Sequence, residues 1–83
     1  MNLEKDPEFL SDYLNGMIVQ QLTQTMSNKG CSKTRLAELA GLSRMYIFEL
    51  LTERKNITIH ALVKICCALD CTVEVVIKKE SQG

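Results

Sequence analysis

The sequence predicts a mostly helical domain of four or five helices followed by one C-terminal β-strand. Three observations indicate this fold. Apolar residues recur at helical spacing in several segments, and each segment begins at a helix-capping residue. The last apolar segment, residues 72–78, changes to a β-branched and roughly alternating pattern. The chain has 83 residues, the size of one small domain, so we expect residues 1–83 to fold as a single unit.

The first helix is expected to begin at Asp6-Pro7 and to stop at Gly30. Proline is favoured at the first helical position, and glycine is favoured just beyond the last one. Apolar residues then follow at helical spacing: Leu10, Leu14, Met17, Ile18, Leu22 and Met26. Phe9 and Tyr13 widen this apolar stripe. The pattern predicts one long amphipathic helix.

Three shorter helices are expected after it, and a hydroxyl side chain stands at the start of each. Ser32, Ser43 and Thr58 are the predicted N-caps, because a hydroxyl can accept a hydrogen bond from an otherwise unpaired N–H group. The predicted inward positions are Leu36, Leu39 and Ala40, then Ile47, Leu50 and Leu51, then Ile59, Leu62, Val63, Cys66 and Leu69. Gly41 can take the left-handed conformation of a tight turn between the first two of these helices.

The tail, residues 71–79, is predicted to form a strand that pairs across a dimer. A single strand has no ladder partner within an otherwise helical chain, and its N–H and C=O groups must be satisfied somewhere. The same strand of a second copy, antiparallel across a two-fold axis, is the economical partner. The predicted dimer interface is Val73, Val75, Val76 and Ile77. The alternative is a frayed tail.

The charge is unevenly distributed although its sum is zero. Residues 1–28 contain four acidic residues and one lysine, a net charge of −3, whereas residues 29–55 contain six basic and three acidic residues, a net charge of +3. A polyanion would therefore prefer the middle segment. The alternative is that these charges simply form a mixed, solvated surface with no polyanionic partner.

Other chemistry is sparse in the sequence. The cysteines Cys31, Cys66, Cys67 and Cys71 form no C-x-x-C pair, and His60 is the only histidine, so we expect reduced thiols, no metal and no cofactor. No Ser/His/Asp or Cys/His set and no glycine-rich phosphate loop is visible, which argues against an enzyme. No apolar run approaches the length of a membrane span, and no signal peptide is seen. These features favour a cytoplasmic protein.

The centre of the chain has the features of a helix-turn-helix. A short helix, a glycine turn and a second short helix occur in sequence. Ala37 is small where the second helix must cross closely, Leu42 anchors the turn, and Ile47 anchors the second helix. Together with Gly41, these positions are far more specific than any of them alone.

The segment SKTRLAELAGLSRMYIFELLTERKNITIHALVKICCALD resembles the Cro/phage-repressor family of DNA-binding domains, also called the xenobiotic-response-element type. The likeness runs without gaps from Lys29 to about Leu69. It implies a lambda-repressor-like helix-turn-helix fold. The tail DCTVEVVIKK is similar to members, several antitoxins among them, in which a C-terminal strand pairs across the dimer.

The resemblance implies that the third helix enters the major groove of double-stranded DNA. Ser43, Arg44, Met45, Tyr46 and Phe48 would then face base edges, with Arg44 best suited to guanine. Lys33, Thr34, Arg54, Lys55 and Asn56 fall where the family grips phosphates.

The outward face of the third helix is apolar at Met45, Tyr46 and Phe48, where polar side chains that hydrogen-bond to bases are usual. Contacts with thymine methyl groups are therefore expected. The alternatives are packing of Phe48 on the following loop, or an apolar surface that binds protein.

The chain also departs from the family pattern at several positions. Lys33 stands where glutamine is usual, and Glu53 stands where a loop glycine is usual. Met26 and Leu51 replace an arginine–glutamate pair. Since both became apolar together, we expect them to touch.

These observations predict a dimeric, sequence-specific transcriptional regulator, most simply a repressor that binds a palindromic operator. One alternative is an antitoxin that also autoregulates, with a toxin protein held against the first helix or the tail. Phe9, Tyr13 and the acidic start, Glu4 to Asp12, would serve that role. Another alternative is a protein-interaction module that has lost DNA binding. No separate ligand-binding domain fits in the chain.

Overall fold

The computed structural model describes residues 5–79, so the first four and last four residues of the predicted domain lie outside it. Four helices follow one another along the described chain: α1 (Pro7–Lys29), α2 (Lys33–Ala40), α3 (Arg44–Leu51) and α4 (Ile59–Ala68). The helical prediction is confirmed with four helices. None of these helices is both long and apolar enough to cross a membrane.

Each helix starts at the predicted cap. The Asp6 carboxylate accepts a hydrogen bond from the Glu8 N–H at 3.0 Å. The hydroxyl groups of Ser32, Ser43 and Thr58 accept hydrogen bonds from N–H groups three residues on, at 3.0 to 3.1 Å. These contacts satisfy donors that would otherwise lack partners, so the chain itself specifies where each helix begins.

The core lies where α2, α3 and α4 meet one face of α1. Leu36, Ile47, Leu50 and Ile65 are fully buried. The residues of α1 that reach this core are Val19, Leu22 and Met26. Met26 and Leu51, which are expected to touch, are both buried in this cluster.

Several predicted inward positions are wrong. Ile59 is 82% exposed and Leu39 is 47% exposed, and Val63 is also exposed. The cause is geometric: α2 and α4 each bury only one narrow face, which centres on Leu36 in α2 and on Ile65 in α4, while their apolar stripes are wider. The exposed members are left at the edges of those faces.

The apolar stripe predicted for α1 is divided between the core and solvent. Leu10, Leu14 and Met17 are exposed, whereas Val19 and Leu22 are buried. On a helix of 3.6 residues per turn, these two sets lie on different sides. α1 therefore carries one apolar face on the core and a second one open to solvent.

The predicted C-terminal strand is not present in the described chain. Residues 71–79 contain no regular structure, and no other segment within residues 5–79 supplies them with ladder hydrogen bonds. Val73 lines a groove of about 360 Å³ with Ile18, Leu22 and Leu62. Ile77, further along, is 93% exposed.

The tail leaves α4 through a cluster of thiols. All four cysteines are free, and the Cys71 N–H donates to the Cys66 carbonyl at 2.8 Å. Burial raises the pKa of the Cys66 thiol above its ordinary value of 9.0, and the neighbouring thiols of Cys71 and Cys67 raise it further. Cys66 therefore belongs to the core as a neutral, apolar side chain.

Candidate nucleic-acid interface

α2 and α3 form a helix-turn-helix around Gly41. This glycine has a φ of 69°, in the left-handed region, and the Leu42 N–H returns to the Ala37 carbonyl at 3.0 Å. The bond closes the end of α2 and directs the chain into α3. Leu36 and Ala37 of α2 are buried, so the pair is anchored in the core.

α3 divides into an inward face and an outward face. Ile47, Leu50 and Leu51 are buried, which fixes the rotation of the helix about its own axis. Arg44, Met45 and Phe48 are then exposed, with Met45 at 67%. These three line a shallow depression of about 590 Å³ together with Arg54.

Ser43 has a structural role at the start of α3. Its hydroxyl oxygen accepts the Tyr46 N–H at 3.0 Å. Because that oxygen is occupied, Ser43 can offer a ligand its hydroxyl proton while it still caps the helix. The cap places Arg44 at the first position of α3, exposed to solvent.

Two cations lie near the ring of Phe48. The Lys33 ammonium nitrogen is 5.5 Å from the ring centroid, and the Arg54 guanidinium carbon is 5.4 Å from it. Lys33 lies at the start of α2 and Arg54 lies in the loop after α3. One ring therefore connects three parts of the interface.

Tyr46 is half-buried and packs against the core. The Lys55 ammonium lies 5.8 Å from its ring centroid and also 3.3 Å from a carboxylate oxygen of Glu49. Lys55 is thus partly neutralised within the protein. Tyr46, predicted to face bases, is more enclosed than its neighbours on α3.

The loop after α3 keeps a glycine-like conformation at Glu53. This residue has a φ of 61°, a region that side chains other than glycine rarely adopt. Its carboxylate rests against Gly16 of α1, where an added Cβ would meet a carboxylate oxygen at 3.3 Å. The following Arg54 N–H donates to the Glu49 carbonyl at 2.9 Å, which ties the loop to α3.

Asn15 holds the other end of this loop and was missed by the sequence reasoning. It is the one buried polar side chain among the described residues, and its amide oxygen accepts the Ile57 N–H at 2.9 Å. A signal was present: Asn15, Val19, Leu22 and Met26 share a helix face by spacing. A polar residue on a core face needs an internal partner.

The predicted DNA-binding residues are only partly brought together. The depression and the ring contacts join five of them into a cluster: Lys33, Arg44, Met45, Phe48 and Arg54. Tyr46 and Lys55 form a separate pair, and Ser43 is bonded to Tyr46 through its cap. Thr34 and Asn56 are exposed, and within residues 5–79 no side-chain hydrogen bond or ring contact ties them to the cluster.

Three cations of this cluster are not neutralised by the protein. Within residues 5–79, Lys33, Arg44 and Arg54 form no ion pair, whereas Lys55 pairs with Glu49, and Arg35 pairs with Glu38 at 3.3 Å. Unpaired cations around an exposed helix face are suited to a polyanionic ligand.

Comparison with known proteins agrees with this geometry. A model of the Cro/C1-type helix-turn-helix DNA-binding domain matches residues 21–78, which include α2, α3, α4 and most of the tail. No curated protein and no solved structure matches the chain. Since the family match covers more than half of the sequence, this chain belongs to the Cro/C1-type helix-turn-helix DNA-binding domain family.

Proposed function

We propose that this protein is a sequence-specific transcriptional regulator that represses by occupying a palindromic operator as a homodimer. The observation that carries the proposal is the outward face of α3. There Arg44 and Arg54, which form no ion pair within residues 5–79, flank Met45 and Phe48. A short helix with a free basic edge and a buried opposite face is suited to the major groove.

Arg44 is proposed as the main base contact. It occupies the first turn of α3, exposed and without a carboxylate partner among the described residues. Its guanidinium fork matches the O6 and N7 acceptors of guanine, and one such pair discriminates by about 1–3 kcal/mol. Lys33 and Arg54 would contact phosphates, which position the protein on DNA but carry no sequence information.

The homodimer is supported by apolar surface that one copy leaves open. Leu10 and Leu14 on the second apolar face of α1, and Val75 and Ile77 in the tail, are all exposed. The tail also lacks ladder partners for its backbone. A second copy would cover both kinds of surface and place two α3 helices about 34 Å apart, one turn of DNA.

Binding should be tested on the DNA upstream of the protein's own gene. We expect the wild-type chain to retard this fragment at low salt, and Arg44→Ala to weaken binding by at least tenfold. Arg44→Lys keeps the charge without the fork, so it should retain general affinity and lose preference for the operator. Arg35→Ala is the matched control, because Arg35 is already paired with Glu38.

A wild-type chain that fails to bind any duplex at low salt would contradict the proposal. Equal losses for Arg44→Ala and Arg35→Ala would instead remove the assigned role of Arg44. Repression would then be measured with a reporter gene under the same upstream fragment.

A second candidate function is an autoregulating antitoxin. The start of α1 presents Phe9 and Tyr13 with parallel rings, centroids 6.3 Å apart, beside the acidic residues Glu8 and Asp12. Both rings are exposed, as expected of a protein-binding surface. A toxin gene next to this gene, and loss of toxin binding in a Phe9→Ser, Tyr13→Ser variant that still binds DNA, would support this function.

A further inference from the structure

We propose that Phe48 is a positioning residue for phosphate recognition: its ring holds the Lys33 and Arg54 cations together beside α3. The inference rests on the proposed DNA-binding function and adds a role that differs from base contact. Phe48 is only 39% exposed although it lies on the outward face of its helix. The two basic side chains cover part of the ring that would otherwise face solvent.

The two cations are close enough to act on the same stretch of DNA backbone. Each charged group lies within 5.5 Å of one ring centroid, so their separation cannot exceed twice that distance. Like charges at this range repel each other in the free protein. The negative face of the aromatic ring offsets part of that repulsion and keeps both side chains in place.

Neither cation is held by another charge. Within residues 5–79, Lys33 and Arg54 form no ion pair, so the ring contact is the interaction that restrains their long side chains. Lysine and arginine lose substantial rotamer freedom when they bind phosphate. Side chains that are already restrained lose less on binding, which increases affinity.

The Tyr46 ring is a useful contrast. Its cation, Lys55, is already neutralised by Glu49 at 3.3 Å, and Tyr46 itself packs against the core. Tyr46 and Lys55 therefore serve mainly to brace the loop against α3. The cations beside the Phe48 ring, Lys33 and Arg54, instead form no ion pair within residues 5–79. That difference assigns the positioning role to Phe48 rather than to Tyr46.

The role predicts a particular pattern in DNA-binding measurements. Phosphate contacts act on any sequence and make affinity fall with salt, by about 0.9 in the logarithmic slope for each contact. Phe48→Leu keeps an apolar side chain but removes the ring. We expect it to weaken binding to random-sequence duplex DNA by about tenfold and to reduce the salt slope by about one unit.

The experiment measures fluorescence anisotropy of the full chain with random-sequence duplex DNA over a series of salt concentrations. Phe48→Trp keeps a ring and should bind like the wild type. Val63→Leu is the matched control, an exposed apolar residue on α4 outside the proposed DNA-binding face, and should change neither affinity nor slope. In a Lys33→Met, Arg54→Gln background, Phe48→Leu should have no further effect.

A second measurement needs no DNA. Ring currents should shift the NMR signals of the Lys33 and Arg54 side-chain methylene protons in the wild-type chain, and Phe48→Leu should abolish the shift. Unshifted signals in the wild type would overturn the proposal even if a variant failed to fold. Melting curves confirm that each variant used for binding is folded.

The outcomes separate this role from the function on which it rests. If the wild type does not bind random-sequence DNA at low salt, the DNA-binding proposal fails and the positioning role fails with it. If the wild type binds and Phe48→Leu binds equally well, only the positioning role is refuted. If Phe48→Leu lowers operator preference but not random-sequence affinity, Phe48 contacts a thymine methyl group instead.

Discussion

Glu53 adopts a left-handed backbone conformation, with a φ of 61°, in the loop that follows α3. For residues with a Cβ this conformation is less favourable by about 1–2 kcal/mol. Glycine, usual at this position in the family the sequence resembles, is free of that cost. The loop thus keeps the conformation at the expense of stability.

Glu53→Gly should therefore raise the stability of the protein by about 1 kcal/mol, after the added chain entropy of glycine is subtracted. For a chain of this length the melting temperature should rise by roughly 4–8 °C. Glu53→Ala is the control, because it removes the carboxylate but keeps the Cβ. If both variants melt at the same temperature, the carboxylate rather than the backbone determines the effect.

Single residues were the least predictable part of the site. The sequence shows that Glu53 occupies a position where glycine is usual. It does not show whether the backbone there keeps the left-handed conformation that glycine favours. Asn15 was overlooked because its partner, the Ile57 N–H, is 42 residues away along the chain. Such a contact depends on how α1 packs against the loop, and local sequence patterns contain no information about that packing.

α3 depends on its cap and on its neighbours. With 8 residues it is far shorter than a helix that is stable alone in water. Ser43 accepts the Tyr46 N–H at the start of the helix, and the buried Ile47 holds it to the core. The same end of α3 is the one proposed to approach the bases.

Substitutions at Ser43 should separate stability from DNA binding. Ser43→Ala removes the cap and should lower the free energy of unfolding by about 1 kcal/mol. Ser43→Asp restores a cap acceptor and should keep near wild-type stability, but its negative charge should repel phosphate and weaken DNA binding. Thermal melting and anisotropy measure the two properties. An Asp variant that binds DNA as the wild type does would place this end of α3 away from DNA.

At the level of elements, helix starts were predictable, and so was the buried face of α3, but the buried faces of α2 and α4 were only partly predicted. The caps at Ser32, Ser43 and Thr58 depend on a hydrogen bond over three residues, which the sequence contains directly. The exposure of Ile59 and Leu39 depends on how wide a face each short helix presents to its neighbours. Hydrophobic periodicity predicts which residues share the apolar face of a helix. It does not predict which edge of that face remains exposed to solvent.

The whole molecule leaves much apolar surface open for a chain of 83 residues. Small domains have limited cores, and association is a common means of stabilising them. The tail was predicted as a strand from its β-branched pattern, yet a single copy supplies no ladder partner. A sequence pattern can indicate a preference for strand, but it does not contain the partner segment that a ladder requires.

If the homodimer exists, stability and mass should depend on protein concentration. Light scattering should give twice the 9.4 kDa chain mass at high concentration, and the melting temperature should rise with concentration. Ile77→Lys should shift the mass to the monomer and remove the concentration dependence, because it puts a charge into the proposed interface. Ile77→Val keeps an apolar, β-branched residue and is the control. A monomer at every concentration would refute the dimer.

The bare backbone of Gly16 beneath the Glu53 carboxylate makes these two positions epistatic. Alanine at residue 16 would favour helix formation by about 0.5–1 kcal/mol, but its methyl group would lie 3.3 Å from a carboxylate oxygen of the exposed Glu53 side chain, which must shift to admit it. Once residue 53 is itself glycine, that crowding is gone and the full gain is available. Stability screens that substitute only residue 16 or only residue 53 would therefore underestimate the gain in stability from changing both. The two positions, one in α1 and one in the loop, must be optimised together.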